Sequence, residues 1–159
     1  MKYFFIALLC TSIVLLSHIY AAKYKWRVKR LESFRQFLVF AKSEVTYVST
    51  PVLEIVKKYD KLYAGSLPFL NPLKEPVAAC VKENLQREEA LDTKQKQMIC
   101  DFFAGFGTQD EEASVRLLEH YRAMADSELQ TVAPECREKR KLIHRLSLLG
   151  ALGVAILLI

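Results

Sequence analysis

Chemistry in a protein needs groups that converge, so the histidines, cysteines, glycines and carboxylates come first. The three histidines stand at 18, 120 and 144. No two lie four residues apart, the spacing that puts a metal-binding pair on one helix face. The four cysteines, at 10, 80, 100 and 136, form no Cys-x-x-Cys pair and no zinc spacing. They read as reduced, buried thiols of a cytosolic domain, while a single disulfide among Cys80, Cys100 and Cys136 fits the spacing as well. The five glycines, at 65, 105, 107, 150 and 153, build neither a phosphate loop nor a Gly-x-Ser-x-Gly elbow. Asp110, Glu111 and Glu112 have two readings, a divalent-cation site or the acidic first turn of a helix. The second is favoured, because Thr108-Gln-Asp-Glu111 spells a capping box at that place. Glu44 is the odd carboxylate, with Phe37, Phe40 and Tyr47 at helical spacing around it. No catalytic residue, cofactor, metal or small-molecule substrate is predicted, and the chain is not expected to be an enzyme.

The elements that position these residues read as helices throughout. Leu31, Phe34, Leu38, Ala41, Val45 and Val48 step by three and four, as one buried helix face requires. Phe37, Phe40, Glu44 and Tyr47 form a second stripe beside it. Glu44 then either finds a partner within the chain (Lys57, Lys58 or the N–H groups of the next helix) or lies on a solvent-facing stripe that docks a partner. The first soluble helix should stop at Ser49. Thr50 should cap the second and Pro51 begin it, since a first-position proline forfeits no helical hydrogen bond. That helix carries Val52, Ile55, Val56 and Tyr59 and ends near Ala64, at Gly65-Ser66. Asn71-Pro72 suggests a third helix to about Arg87, with a bend or a later start at Pro76. Asp92-Thr93 caps a fourth, whose apolar face is Met98, Ile99, Phe102, Phe103 and Phe106. Gly107 closes it as a left-handed cap. A fifth runs through Val115, Leu118, Tyr121, Ala125, Leu129 and Val132 towards a kink at Pro134.

Charge divides the chain into three. Residues 3–22 are twenty in a row without a charge, about 30 Å of helix and enough to span a bilayer. Ile19-Tyr20-Ala21-Ala22 is not an Ala-x-Ala cleavage site, and Leu9 is too large for a lipoprotein box before Cys10, so an uncleaved anchor is expected. Lys23, Lys25, Arg27, Lys29 and Arg30 follow it, with Tyr24 and Trp26 at the level of an interfacial aromatic belt. Arg137, Lys139, Arg140, Lys141 and Arg145 precede a second apolar run, 146–159. That run is short, but Leu142 and Ile143 extend it to a thin crossing if His144 and Arg145 snorkel. Between Leu31 and Cys136 stand 12 basic and 17 acidic residues, a balance of −5 within a chain whose net charge is +5. Positive charge gathered beside apolar ends points to a membrane and away from nucleic acid, the nearest phosphates being lipid headgroups. The fold class expected is all-α: an antiparallel bundle of about five helices (23–145, cytosolic) between an N-terminal (3–22) and a short C-terminal (146–159) transmembrane helix. In the tail Ser147, Ala151 and Ala155 repeat every four residues, with Gly150 widening that face, a spacing that lets membrane helices approach closely.

Ser-Glu-Val-Thr-Tyr-Val-Ser-Thr-Pro-Val resembles a signature of the stage III sporulation protein AB family, with Glu44, Tyr47, Thr50 and Pro51 as the matching residues. Gly107, Asp110, Glu111 and Glu112 match a second element of that family. Lys141, Leu142, Arg145, Leu146, Leu149, Gly150 and Leu152 match a third. Gln109, Ala113, Ser147 and Ala151 depart from the pattern, the last two replacing glycine by a residue that is still small. The resemblance implies a mother-cell membrane protein of endospore-forming bacteria, lying in the membrane around the forespore. It would be a platform subunit of the channel linking mother cell and forespore, with a cytosolic domain distantly similar to type II secretion protein F. The partners it implies are a cytosolic secretion-type ATPase (stage III sporulation protein AA) and the other membrane subunits of that complex. The alternative from the residues alone is a generic membrane-tethered helical adaptor with no energised partner.

Overall fold

The computed structural model describes residues 2–48, 50–71, 76–107 and 110–158, without the side chains of 2–7, 10, 155, 157 and 158. Expectations placed on Ser49, Pro72 and Thr108, and on the side chains of Cys10 and Ala155, lie outside the described residues. The described chain is all-helical. It contains α1 (Lys2–Val48), α2 (Val52–Leu62), a 3-10 turn (Pro68–Leu70), α3 (Val77–Arg87), α4 (Thr93–Gly105) and α5 (Glu111–Leu158). Among the described residues, no helix is long and apolar enough to cross a membrane. The chain divides into two compact units, one of residues 1–28 with 131–159 and one of residues 29–130.

The unit of residues 29–130 is built on aromatic contacts. Phe37 of α1 meets Tyr59 of α2 edge-on at 5.2 Å and stacks on Phe103 of α4 at 5.7 Å. Phe102 meets Phe34 of α1 and Tyr121 of α5 edge-on, so one ring joins three helices. Such pairs add about 0.5–1.5 kcal/mol each beyond their burial. The expected stripe is buried at Leu31, Phe34, Leu38, Ala41 and Val45. It fails at Val48, 59% exposed, because the last turn of α1 extends beyond the core. The Arg35–Asp126 and Lys42–Glu119 ion pairs set α1 and α5 antiparallel in this unit. Arg30 is 13% exposed at its side chain and belongs to this fold. It donates to the carbonyls of Gly65 and Ser66 at 3.2 and 2.8 Å and pairs with Glu88.

Helix ends follow local chemistry, with three corrections to the sequence reading. Asp92 caps α4 as expected and completes a full capping box. Its carboxylate accepts from the Gln95 N–H, while the Gln95 side chain accepts from the Asp92 N–H. Thr50 does not cap α2. Pro51 occupies the cap position with extended ψ (145°) and no side-chain cap, and the N–H groups of Glu54 and Ile55 both donate to its carbonyl. Of the two alternatives at Pro76 the structure has the later start: the third helix begins at Val77, because a proline ring inside a started helix would clash with the carbonyl four residues back. Asn71 instead ends the 3-10 turn and donates to Asp60. At α5 the cap is Asp110, whose carboxylate accepts from the Ala113 N–H at 3.0 Å. Pro134 lies inside α5, which continues on both sides of it. The missing N–H leaves the Gln130 carbonyl without its helical donor.

In the other unit, the first part of α1 and the last part of α5 run antiparallel. His18 faces His144 with ring centres 5.8 Å apart, and the Lys139 ammonium sits 5.8 Å from the centre of the Tyr24 ring. Ala21, Val132 and Cys136 are buried there. Cys80, Cys100 and Cys136 form no disulfide among the described residues, and burial pushes Cys100 and Cys136 above the usual thiol range.

Candidate functional site

The residues singled out in the sequence divide between two places. Thr50, Pro51 and Gly107, distant in sequence, meet at an open groove of about 860 Å³ within residues 29–130. The first turns of α2, α3 and α5 and the end of α4 frame it. Its surface is mainly apolar: Val52 and Leu53, then Val77 and Ala78, then Phe103 and Phe106, with Glu111 and Ser114 as the polar contribution of α5.

Gly107 is required here for two separate reasons. Its φ of +93° is a left-handed backbone that L side chains rarely adopt. A Cβ at that position would also lie 2.6 Å from Val52 Cγ2, so the start of α2 rests directly on the bare glycine backbone. Asp110 sits beside the groove as the cap of α5, and Glu111 and Glu112 occupy the first turn, where the helix's positive end favours them.

Glu44 stands behind Thr50 and is 8% exposed. Both of its oxygens accept from the Lys58 ammonium, at 2.6 and 2.8 Å, and the Thr50 hydroxyl donates to Oε2 at 3.4 Å. A buried carboxylate without such partners would cost several kcal/mol. The Lys58 side chain is half exposed, so solvent screening holds the net contribution of the pair to roughly 1 kcal/mol. Its geometric effect is clearer: it ties the end of α1 to α2 and so fixes the turn that carries Thr50 and Pro51. Tyr47 does not join this arrangement, being 85% exposed.

The tail residues lie in the other unit. The Ser147 hydroxyl donates to the carbonyl of His144 in its own helix, at 2.9 Å. A Cβ on Gly150 would meet nothing within 4 Å, and Ala151 is half-buried. Two arrangements escaped the sequence reading. His18 and His144 pair across two helices although no local spacing joins them. Gln95, 1% exposed, donates to Glu128 of α5 at 3.1 Å, and its place three residues after Asp92 is the signal that could have found it. Among the described residues, no group of three or more His, Cys, Asp or Glu side chains could hold a metal ion. The groove is thus lined mainly by apolar side chains, with Glu111 as the acidic residue among them.

Neither a curated protein nor a solved structure matches this chain. The family model described as stage III sporulation protein AB matches residues 2–159. That match takes in Thr50, Pro51 and Gly107, which line the groove, together with Glu44 and Asp110, and the chain belongs to the stage III sporulation protein AB family.

Proposed function

We propose that this sporulation-stage protein is a membrane-anchored platform subunit of the channel between mother cell and forespore. In this reading residues 23–145 face the cytosol and the groove seats a partner subunit. The partner is the complex's secretion-type ATPase (stage III sporulation protein AA) or another of its membrane subunits. One observation carries the docking role. Two signature stretches more than fifty residues apart converge on the same groove, where the bare backbone of Gly107 lets the start of α2 pack against the end of α4. The membrane part is supported by the terminal helices, on which Leu15, Leu16, Ile19, Leu148, Leu149 and Ile156 are each more than 60% exposed. Water does not tolerate so large a contiguous apolar surface, and a bilayer does. The uncharged run 3–22 and its basic flank support the same reading.

Filling the groove tests the docking role. Ala78→Trp places an indole over its floor and is expected to abolish co-purification of the partner seated there, the ATPase or a membrane subunit, from sporulating cells. Membrane anchoring and the thermal midpoint should be retained. Unchanged co-purification would remove the groove from the interface. If the wild-type chain itself brings down no ATPase, the protein is a membrane-tethered adaptor without an energised partner.

A further inference from the structure

Two basic clusters more than a hundred residues apart in sequence stand at one level in the unit formed by the chain ends. The His18–His144 and Tyr24–Lys139 contacts fix the register of the antiparallel pair. The residue numbers in each contact add to 162 or 163, so residue 23 lies level with residue 140 and residue 26 with residue 137. Residues 23–28 and 135–141 thus form a single band around both helices, holding seven cations and two carboxylates. Lys139 pairs with Glu135 and Lys141 with Glu138. Lys23, Lys25, Arg137 and Arg140 make no ion pair among the described residues, and three of these four are exposed. They span about one turn of helix along the axis. Trp26, 44% exposed, stands in the same band. On one side of the band both helices carry exposed apolar residues, from Leu8 to Tyr20 and from Leu142 to Ile156.

We infer that this band is a collar that binds the headgroups of anionic phospholipids. A collar of cations at the foot of an apolar helix pair meets phosphate at the depth where a bilayer presents it. Its excess of uncompensated charge favours headgroups with net negative charge over zwitterionic ones. An exposed tryptophan at the same level suits the interface, where its ring is apolar and its N–H finds acceptors. The inference rests on the membrane reading above and goes beyond it by naming the lipid class and the residues that select it.

Trp26 is the protein's only tryptophan, so its fluorescence reports on the collar alone. The full chain is reconstituted into phosphatidylcholine bilayers containing a fifth phosphatidylglycerol, with one lipid or the other brominated high in its acyl chains. Brominated phosphatidylglycerol is expected to quench Trp26 as a lipid bound about fivefold or more tightly than phosphatidylcholine, given four uncompensated cations near the surface. Lys23→Gln, Lys25→Gln, Arg137→Gln and Arg140→Gln together should bring that ratio to about 1 with helix content unchanged. Equal quenching by both lipids in the wild type overturns the collar and leaves membrane anchoring standing. No quenching by either lipid overturns both. If millimolar inorganic phosphate at constant ionic strength abolishes the preference, the band is a free-phosphate site and the lipid assignment falls.

Discussion

A nearly buried carboxylate has to be met by a partner, and in Glu44 that partner is Lys58 from the neighbouring helix. Glu44→Gln keeps the shape and removes the charge. It is expected to lower stability by about 1 kcal/mol, since Lys58 can regain water, and the thermal midpoint by about 4–8 °C for a unit of this size. Adding Lys58→Met to Glu44→Gln should cost little more, because the two residues act on one interaction. An unchanged midpoint with lost partner binding would make Glu44 an interface residue. Tyr59 is the second informative residue. It is 1% exposed, and its hydroxyl donates to the Ser33 carbonyl at 3.0 Å. Burial pushes its phenol above the ordinary value of 10.0, so the folded protein keeps a proton that the unfolded chain releases first. The resulting stability is complete below pH 10 and drains away as pH rises from there through the raised value. Thermal midpoints should therefore fall steeply above pH 10. Tyr59→Phe should start about 1 kcal/mol lower for the lost hydrogen bond and then decline less steeply; an identical alkaline slope would exclude Tyr59 as its source.

At the scale of elements, Gly107 and Gly65 make a controlled comparison. Both have positive φ, +93° and +72°, but only at Gly107 would a Cβ meet a neighbour, Val52. Gly65→Ala should cost about 1 kcal/mol from the backbone alone. Gly107→Ala should cost about 2–4 kcal/mol, because α2 must also shift to relieve the contact. Adding Val52→Ala should recover the steric part and leave the backbone part, as read from denaturant midpoints. Equal costs at the two glycines would mean that α2 yields freely. Both glycines were legible as chain breakers, and the core faces of α1, α2 and α4 were legible because burial repeats every three to four residues. What the sequence hid was set by partners from elsewhere in the chain. Nothing near Gly107 announces that Val52 lies against it. Thr50 looks like a cap until Glu44 takes its hydroxyl and Pro51 takes the cap position. The later start of the third helix, by contrast, was legible at Pro76, because a ring that is harmless at a helix start is not harmless one turn in. Tyr47 kept the period of its stripe yet lies where the helix has outrun its neighbours.

For the whole molecule, the distribution of charge carries more information than the net value of +5. The central residues are acidic on balance, and the cations gather where the two terminal helices run side by side. Lysine and arginine beside an apolar span stay on the cytosolic side, because moving them across the membrane is costly. Here the cations of residues 23–28 and 135–141 stand level with each other, so both groups make the same demand and a single orientation satisfies them. The membrane reading therefore requires α2, α3 and α4 to be cytosolic. Lys57, exposed on α2, is a suitable reporter. With the native cysteines replaced, Lys57→Cys should stay unlabelled by an impermeant maleimide in intact cells and react fully once the cells are opened. Ready labelling in intact cells would reverse the orientation and place the groove out of reach of any cytosolic ATPase. If the protein fractionates away from membranes altogether, the exposed leucines and isoleucines of both chain ends must be covered by protein rather than lipid.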